Sequence, residues 1–203
     1  MDRLEELVSE NRFTISVIFP IVGAVTFLAS AEGLLPDFLK FNPFFILFGT
    51  LVMRLPLISG LKPLINRKAG LGILVVSLYA YLIEFVGLST GWPYGEFSYN
   101  ISLGPMLHGV PVGLPVFFVP LVLNSFLLVR LYDIQGFWKR FSLSVGLVLL
   151  IDAVLDPAAV ALGIWSYIGG LFYGVPLSNF MGWLLSASIC LLVIEYVFQD
   201  IDV

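Results

Sequence analysis

The sequence predicts an all-α, polytopic transmembrane bundle of about six spanning helices, six to seven, with a cytoplasmic N-terminus. Three observations predict it. Of 203 residues, 59% are hydrophobic and 12% charged, against about 45–50% and about 25% in ordinary soluble domains. A chain this short has no soluble core large enough to hide that excess, so lipid must cover it. Six apolar runs are each long enough to span, since crossing the hydrocarbon takes roughly 17–25 residues. Lys and Arg, finally, fall almost entirely on one side of those runs.

The runs cover residues 13–31, 43–59, 70–88, 111–131, 141–162 and 177–198. None alternates as a barrel strand would, and backbone groups in lipid must bond internally, so helices are expected. Ala29-Ser30-Ala31 resembles a signal-peptide cleavage site. The segment before the first run, however, carries Asp2, Glu5, Glu6 and Glu10 against Arg3 and Arg12, so a retained first helix is expected. Arg3, Arg12, Arg54, Lys62, Arg67, Lys68, Arg130, Lys139 and Arg140 fall on one side and Lys40 alone on the other. That bias puts the N-terminus and the even connections in the cytoplasm. The whole chain, 1–203, reads as one integral membrane domain of the cell membrane.

Two long outer connections, 89–110 and 163–178, are rich in Gly, Pro, Trp and Tyr and contain no Lys or Arg. Interfacial aromatics and turn residues explain part of that composition. Their length also points to function.

Three carboxylates fall inside predicted spans near these connections: Glu84, Asp152 and Asp156. A charge at bilayer depth costs a few kcal/mol or more, so such residues face a bundle interior or a wet cavity. Glu84 lies four residues before the end of its run, roughly 6 Å below it. Asp152 and Asp156 share a helix face at i, i+4. Two carboxylates so placed in a low dielectric do not both ionise readily. The pair therefore offers a general acid beside a carboxylate able to act as base. Pro157 removes a backbone donor and can kink the helix to admit water or ligand. The competing structural account is a pair of acids capped by Tyr, Asn and Trp donors merely to hold the bundle.

Other candidates carry two readings. Glu96 is a fourth acid at the mouth or a solvated loop acid. Asn179 caps the last helix or joins the site. Asn124 bonds a neighbouring helix. His108 is the only histidine and Cys190 the only cysteine, so neither a disulfide nor a cysteine metal centre is expected. No phosphate-cradling or nucleophile-elbow motif occurs. The net charge of −4 gives no reason to expect nucleic acid. The expected substrate is lipid-soluble.

Four stretches then carry a resemblance: EFVGLSTGWPYGEFSY at 84–99; LGPM at 103–106 with GVP at 109–111; DAVLDP at 152–157; and WSYIGGLFYGVPLSNFMGW at 165–183. In this order, over about 81–183, the chain resembles the CruF-type carotenoid hydratases, the archaeal bisanhydrobacterioruberin hydratases among them. The resemblance implies addition of water to the terminal C=C bonds of an acyclic carotenoid, with no cofactor and no metal. A polyene, water and membrane lipid are the implied partners. Asp152, Asp156, Glu84 and Glu96 are the implied catalytic acids. Trp92, Tyr94, Tyr99, Trp165, Tyr167, Tyr173, Asn179 and Trp183 are the implied substrate-binding residues, the rings among them because aromatic faces attract cations. The rivals are a carotenoid cyclase, a prenyltransferase binding Mg²⁺–diphosphate through its acids, and a proton-coupled transporter. A transporter would need buried acids in both leaflets, and none is expected in the cytoplasmic half.

Overall fold

The computed structural model describes residues 2–11, 13–19, scattered positions between 22 and 52, and 66–199 apart from residue 133. The chain divides into two compact units, residues 1–66 and 67–203. The first contains α1 (Asp2–Glu10) and a π-helical turn, Thr14–Ile18. The expected spans over 13–31 and 43–59 fall mostly outside the described residues.

The second unit is built on four helices: α2 (Arg67–Thr90), α3 (Leu114–Leu131), α4 (Phe137–Ala161) and α5 (Leu177–Val197). Each helix packs against the next in the ring α2–α3–α4–α5, and α3 also meets α5 across the middle. The buried stripe of α2 is Ala69, Gly72, Val76, Ala80, Ile83 and Gly87. Steps of three and four keep these on one face. Small residues there allow close approach: a Cβ on Gly72 would stand 2.5 Å from a methyl of Val197. The stripe of α4 is Ser144, Val145, Val148, Asp152, Asp156 and Ala159. Both aspartates thus sit on a core-facing line.

The opposite faces are apolar and exposed: Leu71, Leu74, Leu78 and Leu82 on α2, and Leu150, Val154 and Leu155 on α4. Water would oppose such a surface and lipid accepts it. Among the described residues, three helices, α2, α4 and α5, are long and apolar enough to cross a membrane at 24, 25 and 21 residues. The apolar part of α3 is shorter.

The architecture is mostly helical, not wholly so, because the two long connections carry short strands. In the first, β1 (Phe97–Tyr99) pairs antiparallel with β4 (Trp165–Tyr167) from the second. Also in the first, β2 (Met106–Leu107) and β3 (Val110–Pro111) form a hairpin. His108 and Gly109 turn it at φ 51° and 82°. Two positive φ values at the turn are what a two-residue I′ connection requires. Because Pro111 belongs to β3, α3 begins at Leu114, three residues later than the hydropathy run. The next helix begins earlier than expected, at Phe137, after Gly136 at φ 93°. It continues through Pro157 to Ala161.

Candidate active site

The β1–β4 ribbon is what assembles the site. Its register sets Phe97 opposite Tyr167 and Tyr99 opposite Trp165. Side chains alternate along a strand, so these four rings share one face. The rings meet at centroid distances of 5.7 Å for Phe97–Tyr167, 6.0 Å for Phe97–Tyr99 and 6.1 Å for Tyr99–Trp165. Ser98, Ser166 and Asn100 occupy the other face, with Ser166 Oγ donating to Asn100 Oδ1 at 3.2 Å.

The aromatic face lies over the carboxylates. Tyr99 donates its hydroxyl to Glu84 Oε1 on α2 at 2.5 Å. Tyr167 donates to Asp156 Oδ2 on α4 at 2.9 Å, with Asn179 Oδ1 also within reach at 3.0 Å. On α5, Asn179 Nδ2 donates to Asp156 Oδ2 and, at 3.3 Å, to Asp152 Oδ2. One ribbon and one amide thereby tie together acids from two helices that do not adjoin in the ring. Asp152, Asp156 and Asn179 are buried, at 1%, 3% and 1% exposure. Glu84 is partly buried. Asp152 Oδ1 and Trp165 Nε1 are buried without a hydrogen-bond partner. Such orphan atoms are costly and mark places where a small polar molecule fits.

Asn179 does not cap its helix. The N-cap of α5 is Pro176, which makes no side-chain cap bond. The Asn179 amide turns inward to the aspartates instead.

Tyr94 is held as an anchor. A Cβ on Gly87 would lie 3.0 Å from one edge of its ring and a Cβ on Gly182 2.5 Å from the other. Two glycines on α2 and α5 thus leave a slot that fits the ring. The Tyr94 hydroxyl lies 2.8 Å from Ser186 Oγ. Trp183 stacks on Phe118 at 5.1 Å and lies 6.2 Å from Tyr94. Trp92 and Tyr173 stand outside at 59% and 77% exposure, and Glu96 is exposed on the connection. His108 sits edge-on to Phe85, also exposed.

Burial, followed by the charge of Glu84, raises the hydroxyls of Tyr94 and Tyr99 well above the ordinary tyrosine range. Burial, followed by Asp156, does the same to Tyr167. All three stay protonated, so Tyr99 and Tyr167 remain donors to the acids. Among the described residues, no three His, Cys, Asp or Glu side chains are grouped so as to hold a metal ion.

Sequence reasoning missed Phe97 and Ser186. A signal existed for the first: Phe97-Ser98-Tyr99 and Trp165-Ser166-Tyr167 share an aromatic–serine–aromatic alternation. That is the period of a strand with one face covered. The expectation of no buried acid toward the cytoplasmic end is also corrected. Glu195 on α5 is 5% exposed. It pairs with Arg130 at 3.1 Å and Arg140 at 3.5 Å. Arginines carried by α3 and α4 make its burial tolerable.

A sequence model of the family described as "Carotenoid biosynthesis protein" matches residues 41–203, most of the chain. The chain belongs to this family. Within the carotenoid biosynthesis proteins it is similar to the bisanhydrobacterioruberin hydratase of Haloarcula japonica, 57% identical over 201 residues. That alignment covers 97% of this chain and 69% of the relative. No solved structure matches. The buried acids and the ribbon thus lie in a carotenoid-pathway protein.

Proposed function

We propose that this protein is a carotenoid hydratase that adds water to the terminal C=C bonds of bisanhydrobacterioruberin, giving bacterioruberin. One structural observation carries the proposal. Three buried or half-buried carboxylates from two helices converge beneath an aromatic ribbon and are met there by neutral donors from Tyr99, Tyr167 and Asn179. The 57% identity to a protein named for that reaction supports it.

The chemistry follows from the arrangement. The Asp152–Asp156 pair holds one proton between its two carboxyls. That proton passes to the less substituted carbon of the terminal double bond, and the π pair becomes the new C–H bond. The other carbon is left as a tertiary cation. Faces of Tyr99 and Trp165, with Phe97 beside them, stabilise it. A water oxygen attacks the cation, and Glu84 takes the proton that water releases. Return of that proton to the aspartates restores the enzyme, so the net change is H and OH across one C=C. Tyr167 and Asn179 hold the aspartates in register. Trp92 and Tyr173 border the mouth, Tyr94 and Trp183 support the wall between α2 and α5, and Glu96 lies outside the proton path.

The charge bias supports six spans with the N-terminus in the cytoplasm of a multi-pass cell-membrane protein. This orientation sets the acids toward the outer leaflet. The polyene enters from lipid, and water enters from outside.

The test is mass-resolved chromatography of pigments from cells that accumulate bisanhydrobacterioruberin, with and without this protein. The expected products are heavier by one and two waters. Unchanged pigment mass with the protein folded in the membrane defeats the proposal. Unchanged mass with an altered absorption spectrum indicates cyclisation.

A further inference from the structure

Hydration consumes water at a site whose acids are buried and whose helix exteriors are apolar. Polar access must therefore pass through the end of the bundle covered by the connections. A cavity of about 420 Å³ opens there, between the end of α2, strand β1 and the β2–β3 hairpin. Ser89, Ser98, Asn100, Ser102 and His108 line it, with Tyr99. At about 30 Å³ of liquid volume per molecule, it has room for several waters. Leu88, Ile101, Met106 and Gly109 complete the wall, and the hydroxyls, amide and imidazole among them give water polar partners along it.

Tyr99 is the residue common to this cavity and to the acids, since it borders the one and donates to Glu84 of the other. The wall opposite is held in place. Tyr81 on α2 donates to the carbonyl of Leu107 at 2.7 Å, and His108 packs its ring on Phe85 at 5.7 Å. The hairpin is therefore fastened to the same helix that carries Glu84, which keeps the opening in register with the acid.

We infer that this cavity is the water-entry vestibule of the site, with Tyr99 as the gate through which water reaches Glu84. The inference rests on the hydratase proposal and deepens it. It separates the two reactants: water comes through the polar end of the unit, and the polyene comes from the lipid side.

A size-dependent block tests it. Ser102 is exposed on the cavity wall. The native Cys190 is buried, so wild-type protein should resist a polar thiol reagent. The full-length S102C protein in membranes is treated with a small methylthiolating reagent or with a bulky, charged, membrane-impermeant methanethiosulfonate. Hydration of the polyene and polyene binding, read from its absorption shift, are followed together. L171C, at a 97% exposed position on the other connection, is the labelling control. The bulky label on S102C is expected to lower hydration at least tenfold with polyene binding kept. The small label and labelled L171C should change it less than twofold. Full bulky labelling of S102C with hydration unchanged overturns the inference. Loss of polyene binding on labelling overturns it too, because the cavity would then be the polyene's seat. Failure of unlabelled wild-type protein to hydrate the polyene is a different result, and it removes the hydratase proposal itself.

Discussion

The two ends of the four-helix unit bury carboxylates in opposite ways. At the end that carries Arg130 and Arg140, Glu195 faces both of their guanidinium groups. At the other end Glu84, Asp152 and Asp156 are met by two tyrosine hydroxyls and one asparagine amide. A buried acid between two arginines is part of a charge cluster, and breaking such a cluster is costly. An acid held by neutral donors keeps the option of carrying a proton. The first arrangement suits assembly of α3, α4 and α5. The second suits proton transfer. The contrast also bears on the transporter alternative. Acids exist at both ends, but Glu195 is paired with its own two arginines and makes a poor relay.

The contrast can be broken or sharpened by experiment. The largest effect is expected from Asp152→Asn and Asp156→Asn. Each removes a member of the proton-sharing pair while keeping its shape, and general acid–base catalysis is worth about 10²–10⁴-fold. Pigment hydration should fall by that factor with thermal unfolding in detergent little changed. Full activity in both variants ends the assignment.

Glu195→Gln should do the reverse. It leaves two arginines facing no charge, at a cost of about 3–5 kcal/mol of stability, seen as a lowered unfolding temperature with hydration retained in the folded fraction. Replacing Glu195, Arg130 and Arg140 together by apolar residues should recover most of that stability. If the triple variant is stable but no longer hydrates pigment, the Glu195–arginine cluster takes part in function and the contrast fails.

The smallest effect is on pH dependence. Tyr99 and Tyr167 are raised above the ordinary value of 10.0 by burial. The unfolded chain therefore releases these protons first. Stability from this source is whole below about pH 10 and falls as pH rises further. Alkaline unfolding curves should show that fall, and a Tyr99→Phe, Tyr167→Phe double variant should show less of it. An identical alkaline slope in the double variant would mean that the two hydroxyls are not shielded by the ribbon.

Much of the candidate site was legible in the chain. The cost of a carboxylate in an apolar run singles out Glu84, Asp152 and Asp156 without any coordinates. The i, i+4 spacing puts the aspartates on one face, where the structure also has them. Asn179 was ambiguous because a residue near a helix start has a local use as well as a distant one. Only packing shows its amide turned to α4. Glu195 was missed for a related reason: its partners lie 65 and 55 positions away, at Arg130 and Arg140.

What the sequence determined by itself is what depends on local composition and period: apolar helices from run length, and three acids too costly to leave in lipid. What only the tertiary structure decided is which distant groups meet. Residues 97–99 and 165–167 are separated by two helices, and neither strand has a partner within its own connection. Short strands gain their hydrogen bonds only by pairing, and that pairing waits on the helices bringing the two connections together. The same pairing turns four rings inward over the acids and leaves the serines outside. A nearby run of residues carries the cost of burying each acid, but the answer to that cost comes from the far side of the chain.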